Sequence, residues 1–369
     1  MSLAAVNLET LRGWLDEGKP VTVVDVRPVA QRSEWSIPGS LHVDAYEALK
    51  AHDPEAMSET QLPLDRPVVT VCAMGRVSAV AAQQLRDRGY QALSLDGGMK
   101  AWSLAWNTAE VALKNNSTRV IQVRRTGKGC LSYLVGSRNE AATIDASLPP
   151  EVYLNIAIEL GWRITDVLDT HIHADHLSRS RQLALLTGSV LHLPMQGRVT
   201  YSFSAMLDGQ CVEFGAARLT ALLTPGHTAE STCYLLDDKV LFTGDTLFLG
   251  GVGRPDLEAA PEDARLRAEK LHASLQKVLR LPAETLVLPG HVSQPVPFDS
   301  IPMCARLDEV RERITNLRLS VSDFVNWVLD RIPPTPPNHH RIIQFNEQGL
   351  WPEGDPTDLE AGANRCAVS

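Results

Sequence analysis

"DTHIHADHLS", residues 169–178, places three histidines and an aspartate within the six positions 171–176. Histidines two apart, His171 and His173, share a direction only where the backbone is extended. Asp175 and His176 fall on the turn that opens the next helical pattern, "SRSRQLALLTG". A strand end followed by such a turn aims all four side chains into one pocket. Upstream, "EVYLNIAIELG" reads as a helix and "ITDVLDT" as the strand that delivers the loop. Three more polar groups recur at the ends of apolar strands: His227 in "LLTPGHTAES", Asp245 in "KVLFTGDTLF" and His291 in "TLVLPGHV". Glycines 226, 244 and 290 stand immediately before them, where a close turn frees the side chain. A lone histidine at a strand end is more often a hydrogen-bonded core residue, and His192 and His272 are read that way. Seven such groups at these positions indicate a metal site.

The remaining composition sets the frame. At 369 residues the chain is too long for one ordinary core, so two or three domains are expected. Hydrophobic residues make up 44% and charged residues 21%, as in a soluble globular protein. A formal charge of −9 argues against nucleic acid or an anionic membrane as partner. No apolar run approaches the ~18 residues of a membrane span. The N-terminal "MSLAAVNLETLRGWLDEGK" has helical spacing and no secretory pattern. Six cysteines (72, 130, 211, 233, 304, 366) are scattered without a Cys-x-x-Cys pair. These features predict reduced thiols and a cytoplasmic location.

Strand and helix signals alternate through the first hundred residues, predicting a small α/β domain. "PVTVVDVR" (20–27) and "PVVTVC" (67–72) are β-branched runs of the kind buried in a parallel sheet, and "SAVAAQQLRDRG" (78–89) is helical and ends at a glycine. Cys72 ends a strand, and a turn with Gly75 leads into the next helix. A thiol there faces turn amides and the positive end of a helix dipole, which favour the thiolate. The competing reading is a buried cysteine on a parallel strand.

"VDVRPVAQRSEWSIPGSLHV" (24–43), "CAMGRVSA" (72–79) and "LDGGMKAW" (95–102) resemble, in order and spacing, a single-domain rhodanese over roughly residues 5–105. The resemblance implies that Cys72 carries sulfane sulfur as a persulfide and that Arg76 contacts the anionic substrate. One departure stands out: the family has arginine just before the loop serine, and here that place is Val77, with Arg76 one residue earlier. A phosphatase loop needs arginine six positions beyond the cysteine, where this chain has Ser78. If Val77 costs the domain its transferase activity, it becomes a binding or regulatory module.

"THIHADH", "TPGHT", "FTGDTLF" and "LPGH", in that order, resemble the metallo-β-lactamase superfamily over roughly residues 118–295. The resemblance implies an αββα sandwich with the site at the edges of two sheets; the residues alone indicate only mixed α and β. The expected organisation is a rhodanese-like domain (1–108), a linker (109–117), a metallo-β-lactamase-fold domain (118–300), and a C-terminal helical extension with a loosely ordered tail (301–369).

Two chemistries compete for the seven polar groups. In a hydrolase, two zinc ions share them, Asp245 bridges, and metal-bound hydroxide attacks a thioester, as in glyoxalase II. In an oxygenase, His171, His227 and Asp245 hold one Fe(II) and leave three positions for oxygen, water and a thiol-derived substrate. His173, Asp175, His176 and His291 then orient the ligands. Both versions contain all seven. After Asp245 the chain runs "GVGRPDL" (251–257), which resembles the persulfide dioxygenases, and "VLDRIPPTPPNHHRIIQFNEQG" (328–349) resembles a bacterial ending of that family. That resemblance implies one Fe(II) per chain, a role for Arg254 in the substrate site or its loop, and oxidation of glutathione persulfide by O2 to sulfite and glutathione. Rhodanese transfer then links thiosulfate and sulfite to the same pool. The helical patterns of 303–320 and "DFVNWVLDRI" carry apolar stripes for the sandwich or for a second subunit, hence an expected homodimer. Cys366 is expected to be an incidental exposed thiol.

Overall fold

The computed structural model describes residues 4–113 and 117–369. The first residues of the expected N-terminal helix (1–3) and part of the expected linker (114–116) lie outside the described residues.

Residues 5–95 build a five-stranded parallel sheet in the spatial order Ala5–Val6, Ala92–Leu95, Val68–Val71, Thr22–Asp25, Leu41–His42. The valine-rich strands need cover on both faces. Leu49, Ala81, Ala82 and Leu85 pack on one face; Leu11, Met99 and Trp102 pack on the other. Asn7 caps the helix Leu8–Asp16 by accepting from the Thr10 amide. Gly75 takes φ +84° in the turn after Cys72, where a β-carbon would meet Leu95 O at 3.0 Å. The helix that follows, Arg76–Asp87, begins two residues before the sequence pattern places it.

The second domain is the expected αββα sandwich. A seven-stranded mixed sheet runs Ser204–Met206, Val190–Pro194, Arg163–Leu168, Glu140–Ile144, Cys130–Ser137, Thr118–Arg125, Asn107–Val111. A six-stranded sheet runs Cys211–Phe214, Ala217–Leu223, Thr232–Leu236, Val240–Gly244, Leu286–Pro289, Ala305–Arg306. Val120, Tyr133, Phe214, Leu219, Tyr234, Phe242 and Leu288 fill the space between them. Helices Pro150–Glu159 and Ser180–Thr187 cover the first sheet's outer face, and Pro261–Val278 and Val321–Leu329 cover the second's.

The expected linker needs correction. Residues 107–111 form the edge strand of the seven-stranded sheet, antiparallel to Thr118–Arg125. Its polar Asn107 is buried because Arg124 Nε donates to Oδ1 at 2.7 Å.

The C-terminal region also departs from expectation. The pattern at 303–320 breaks into a strand (Ala305–Arg306), a helix (Leu307–Arg313) and a 3-10 turn (Thr315–Arg318). Phe324, Trp327 and Val328 pack on the sandwich, so this stripe is used within the chain. The tail is ordered, not loose. Helices His339–Gln348 and Thr357–Glu360 lead to the strand Ala367–Val368, which pairs antiparallel with Val252–Gly253. Lys100 pairs with Asp355 at 2.9 Å and Asp358 at 2.5 Å, and Arg365 with Glu34 at 3.6 Å, tying the tail to the first domain. Composition predicts disorder from polar, Gly/Pro-rich residues; long-range pairing overrides it. Among the described residues no helix is long and apolar enough to cross a membrane.

Candidate metal centre

The loop 169–179 leaves the strand Arg163–Leu168, and His227, Asp245 and His291 follow the ends of Ala217–Leu223, Val240–Gly244 and Leu286–Pro289. Gly244 (φ +48°) makes their convergence possible. A β-carbon there would lie 2.4 Å from Thr170 Oγ1, and one on Gly290 would lie 2.8 Å from Asp245 Oδ1.

His171, His227 and Asp245 form a buried group whose ligand atoms all lie within 4.8 Å of one another. His171 Nε2 is 3.9 Å and His227 Nε2 3.6 Å from Asp245 Oδ2. Hydrogen bonds behind the rings fix which nitrogen faces inward. His227 Nδ1 lies 2.8 Å from the Arg254 carbonyl, so Nδ1 carries the proton and Nε2 presents a lone pair. Thr170 Oγ1 donates to Asp145 (2.9 Å to Oδ2) and therefore accepts from His171 Nδ1 at 2.9 Å, leaving His171 Nε2 as a lone pair too. His291 Nδ1 holds Asp245 Oδ1 at 2.6 Å. Asp245 Oδ2 and His171 Nε2 are buried without a hydrogen-bond partner. Two lone pairs and one unpaired carboxylate oxygen, buried together, are the donor set of a divalent cation.

The protonation preferences agree. Burial first, then the neighbouring His173, pushes the His171 imidazolium well down, leaving a neutral ring. Burial raises Asp245, but the charge and hydrogen bond of His291 more than offset it and keep it a carboxylate.

The other predicted groups surround this trio. Cys130, Asp175, His176 and His291 form a second buried cluster. There Asp175 is saturated. It takes His176 Nδ1 at 3.0 Å, Asn364 Nδ2 at 3.1 Å, Cys130 Sγ at 3.3 Å and the charge of His291 Nε2 at 2.9 Å. His176 Nε2 is left without a partner. Burial and Asp175 push the Cys130 thiol up, yet His291 and His176 bring it down overall to about 7. His173 turns away from the trio, with Nε2 3.2 Å from Asp145 Oδ1. Burial opposes its charge, but Asp145, Asp169 and Asp175 raise it to about 9, so it is an imidazolium with no lone pair to offer.

Arg254 was expected either in the substrate site or holding its loop, and the structure places the guanidinium behind the site, within that loop. It is fully buried, and its guanidinium is spent on Asp256 (2.8 Å), Pro334 O and Arg365 O. Its backbone does the positioning, since its carbonyl fixes His227 and its amide donates to Cys366 O at 3.0 Å. Cys366 is likewise corrected: it is 1% exposed, with Asp245 and His291 for neighbours. Sequence reasoning also missed Asp145, Cys130 and Asn364. Asp145 had a usable signal, an acid directly after the apolar strand "AATI"; the other two had none.

Cys72 directly follows the strand Val68–Val71 of the first sheet, apart from these clusters. It is buried at 2% exposure and accepts from Ser78 Oγ at 3.3 Å, while Arg76 is exposed on the first helical turn. The Met99 and Lys100 amides donate to the Cys72 and Ala73 carbonyls, pinning the loop from below.

The rhodanese-like domain family matches residues 7–105, and the metallo-beta-lactamase superfamily matches residues 125–291. Mitochondrial persulfide dioxygenase ETHE1 of Bos taurus is 31% identical over 214 residues, 56% of this chain and 78% of that protein. The chain belongs to the metallo-β-lactamase superfamily, with a rhodanese-like domain at its N-terminal end. Within that superfamily, hydroxyacylglutathione hydrolase of Rhizobium johnstonii is 40% identical over 154 residues, 41% of this chain and 56% of that protein. The match therefore spans little more than half the length of that hydrolase. Among solved structures, ETHE1 from Myxococcus xanthus aligns with a TM-score of 0.52 at 27% identity, covering 65% of this chain and 96% of that one. A metallo-beta-lactamase from Staphylococcus aureus subsp. aureus COL aligns with a TM-score of 0.59 at 25% identity, covering 65% and 76%. The superfamily is a metal-binding one, and the buried clusters supply suitable ligands.

Proposed function

We propose that this chain is a non-haem Fe(II) persulfide dioxygenase with one iron per chain, and that Cys72 transfers sulfane sulfur to or from the same pool. The reaction is glutathione persulfide plus O2 and water giving glutathione, sulfite and two protons. One observation carries the reading: His171, His227 and Asp245 bring ligand atoms together with His171 Nε2 and Asp245 Oδ2 unpartnered, while His173 is paired with Asp145 and the carboxylate of Asp175 is saturated. Two histidines and one carboxylate on one face are the ligand set of an oxygen-activating ferrous site. Iron held there supplies a binding position for oxygen and for a sulfur anion. The chain's own residues do the rest. Arg254 O and Thr170 Oγ1 keep both rings in the ligating tautomer, and His291 holds Asp245 charged through Oδ1. The greater coverage of the bovine dioxygenase supports the same choice, as does a neighbouring domain that handles sulfane sulfur.

The second reading is a two-zinc thioester hydrolase. The 40% identity to the Rhizobium hydrolase and the second cluster around Asp175 favour it. One metal-loaded preparation assayed in parallel separates them: oxygen uptake with glutathione persulfide, and cleavage of a glutathione thioester. Uptake without cleavage supports the dioxygenase. Cleavage without uptake refutes it.

A further inference from the structure

The chain's last residues bring a thiol to the centre. The Cys366 sulfur lies within 4.8 Å of ligand atoms of Asp245 and His291, which lie equally close to each other. Two donors on opposite sides of one ion, each about 2.0–2.3 Å from it, stand roughly 4–4.6 Å apart. The thiol and the carboxylate are therefore close enough to share a single cation.

The backbone imposes this placement. Ala367–Val368 pairs with Val252–Gly253, and the Arg254 amide donates to Cys366 O. The Cys366 amide donates to Asn364 Oδ1 at 2.9 Å, and Asn364 Nδ2 reaches Asp175 Oδ2 at 3.1 Å. Further back, the buried Glu360 pairs with Arg125 Nη2 at 2.9 Å and with Arg179. The partner strand is the loop whose Arg254 carbonyl orients His227, so one loop sets both a histidine and the thiol. Independently, Asp245, whose ligand atom lies beside the thiol, keeps its Oδ2 buried and unpartnered.

We propose that Cys366 is a sulfur ligand carried by the chain itself: in the metal-loaded resting protein its thiolate binds the ion held by Asp245, and an incoming substrate sulfur takes its place. Binding releases the thiol proton to solvent. Thiolate is a donor that zinc and iron sites both accept. The identity of the incoming sulfur rests on the proposed function; the ligation does not. The strap 361–369 is then a plug that opens when one sulfur is exchanged for another.

Full-length protein loaded anaerobically with Co(II) gives the test, through sulfur-to-cobalt charge-transfer absorption in the near ultraviolet. The band is expected in the native chain, lost in Cys366→Ser at equal cobalt content, and kept in Cys130→Ser. A band that survives Cys366→Ser, or bound cobalt without any band, overturns the inference and leaves the dioxygenase reading standing. A native chain that holds no cobalt overturns both. A second readout needs no variant. Iodoacetamide labelling of Cys366, followed by peptide mass, should be slower in the cobalt-loaded protein than after chelation. Equal rates contradict the proposal.

Discussion

His291 Nδ1 lies 2.6 Å from Asp245 Oδ1, and this bond divides the carboxylate into a held oxygen and a free one. The free oxygen, Oδ2, faces His171 and His227. Asp175, which begins a comparable cluster with His176, has no such free side. This difference between two aspartates underlies the single-metal reading.

Ligand replacement should therefore be unequal across the opening loop. His171→Ala is expected to empty the centre of metal, whereas His176→Ala keeps about one metal per chain. His291→Ala should weaken retention by roughly 10–100-fold without abolishing it, as for a residue that orients a ligand. Metal content of the three variants after dialysis checks this. Equal loss from His171→Ala and His176→Ala would point to two shared ions.

The loop after Asp245 offers a steric test. A β-carbon on Gly253 would lie 1.9 Å from Asp245 O and 3.0 Å from His227 Cβ, while one on Gly250 meets nothing within 4 Å. Gly253→Ala should cost about 1–3 kcal/mol of stability and weaken metal binding. Gly250→Ala should change neither. Denaturant unfolding with metal titration reads both effects, and identical behaviour of the two variants would contradict the packing described.

Glu360 anchors the C-terminal strap from a site shared with Arg125, Arg179 and the Lys128 ammonium. Burial raises its carboxyl, but the Arg179 and Arg125 charges override this and hold it at about 2. A depressed carboxyl stabilises the fold above its unfolded value of about 4.5, and that stabilisation is lost as pH falls toward 2, on the order of 3 kcal/mol in all. Glu360→Gln leaves two buried guanidiniums short of a counter-charge and should cost about 3–5 kcal/mol at neutral pH. Its unfolding midpoint should also vary less between pH 4.5 and 2 than the native protein's. Parallel pH profiles would show that Glu360 is not the titrating anchor.

The two domains should fail separately. Cys72→Ala is expected to abolish sulfur transfer from thiosulfate to cyanide by the full chain and to leave oxygen uptake on supplied glutathione persulfide unchanged. If the native chain shows no transfer either, the domain is a binding module for that donor, as Val77 in place of arginine allows.

His227, Asp245 and His291 stand out in sequence because each directly follows a glycine at or just beyond the end of an apolar strand. Gly244 and Gly290 show why that pattern carries information, since any side chain there would strike Thr170 or Asp245. His173 was harder. Spacing sets it beside His171, yet its partner is Asp145, 28 residues earlier and just past the end of another strand. Arg254 was singled out for its side chain, whereas its carbonyl and amide contact His227 and Cys366. The ordered tail was not legible, because a two-residue ladder and an ion pair spanning 235 positions leave no periodic trace. The edge strand Asn107–Val111 hid for a similar reason, with its buried Asn107 satisfied by a distant arginine.

The most direct test of the oxygenase reading is one experiment on protein purified without oxygen: metal content per chain, followed by oxygen consumed and sulfite formed on adding glutathione persulfide. About one iron per chain and one oxygen consumed for each sulfite are expected. Two tightly held zinc ions per chain, with no oxygen uptake, would contradict it.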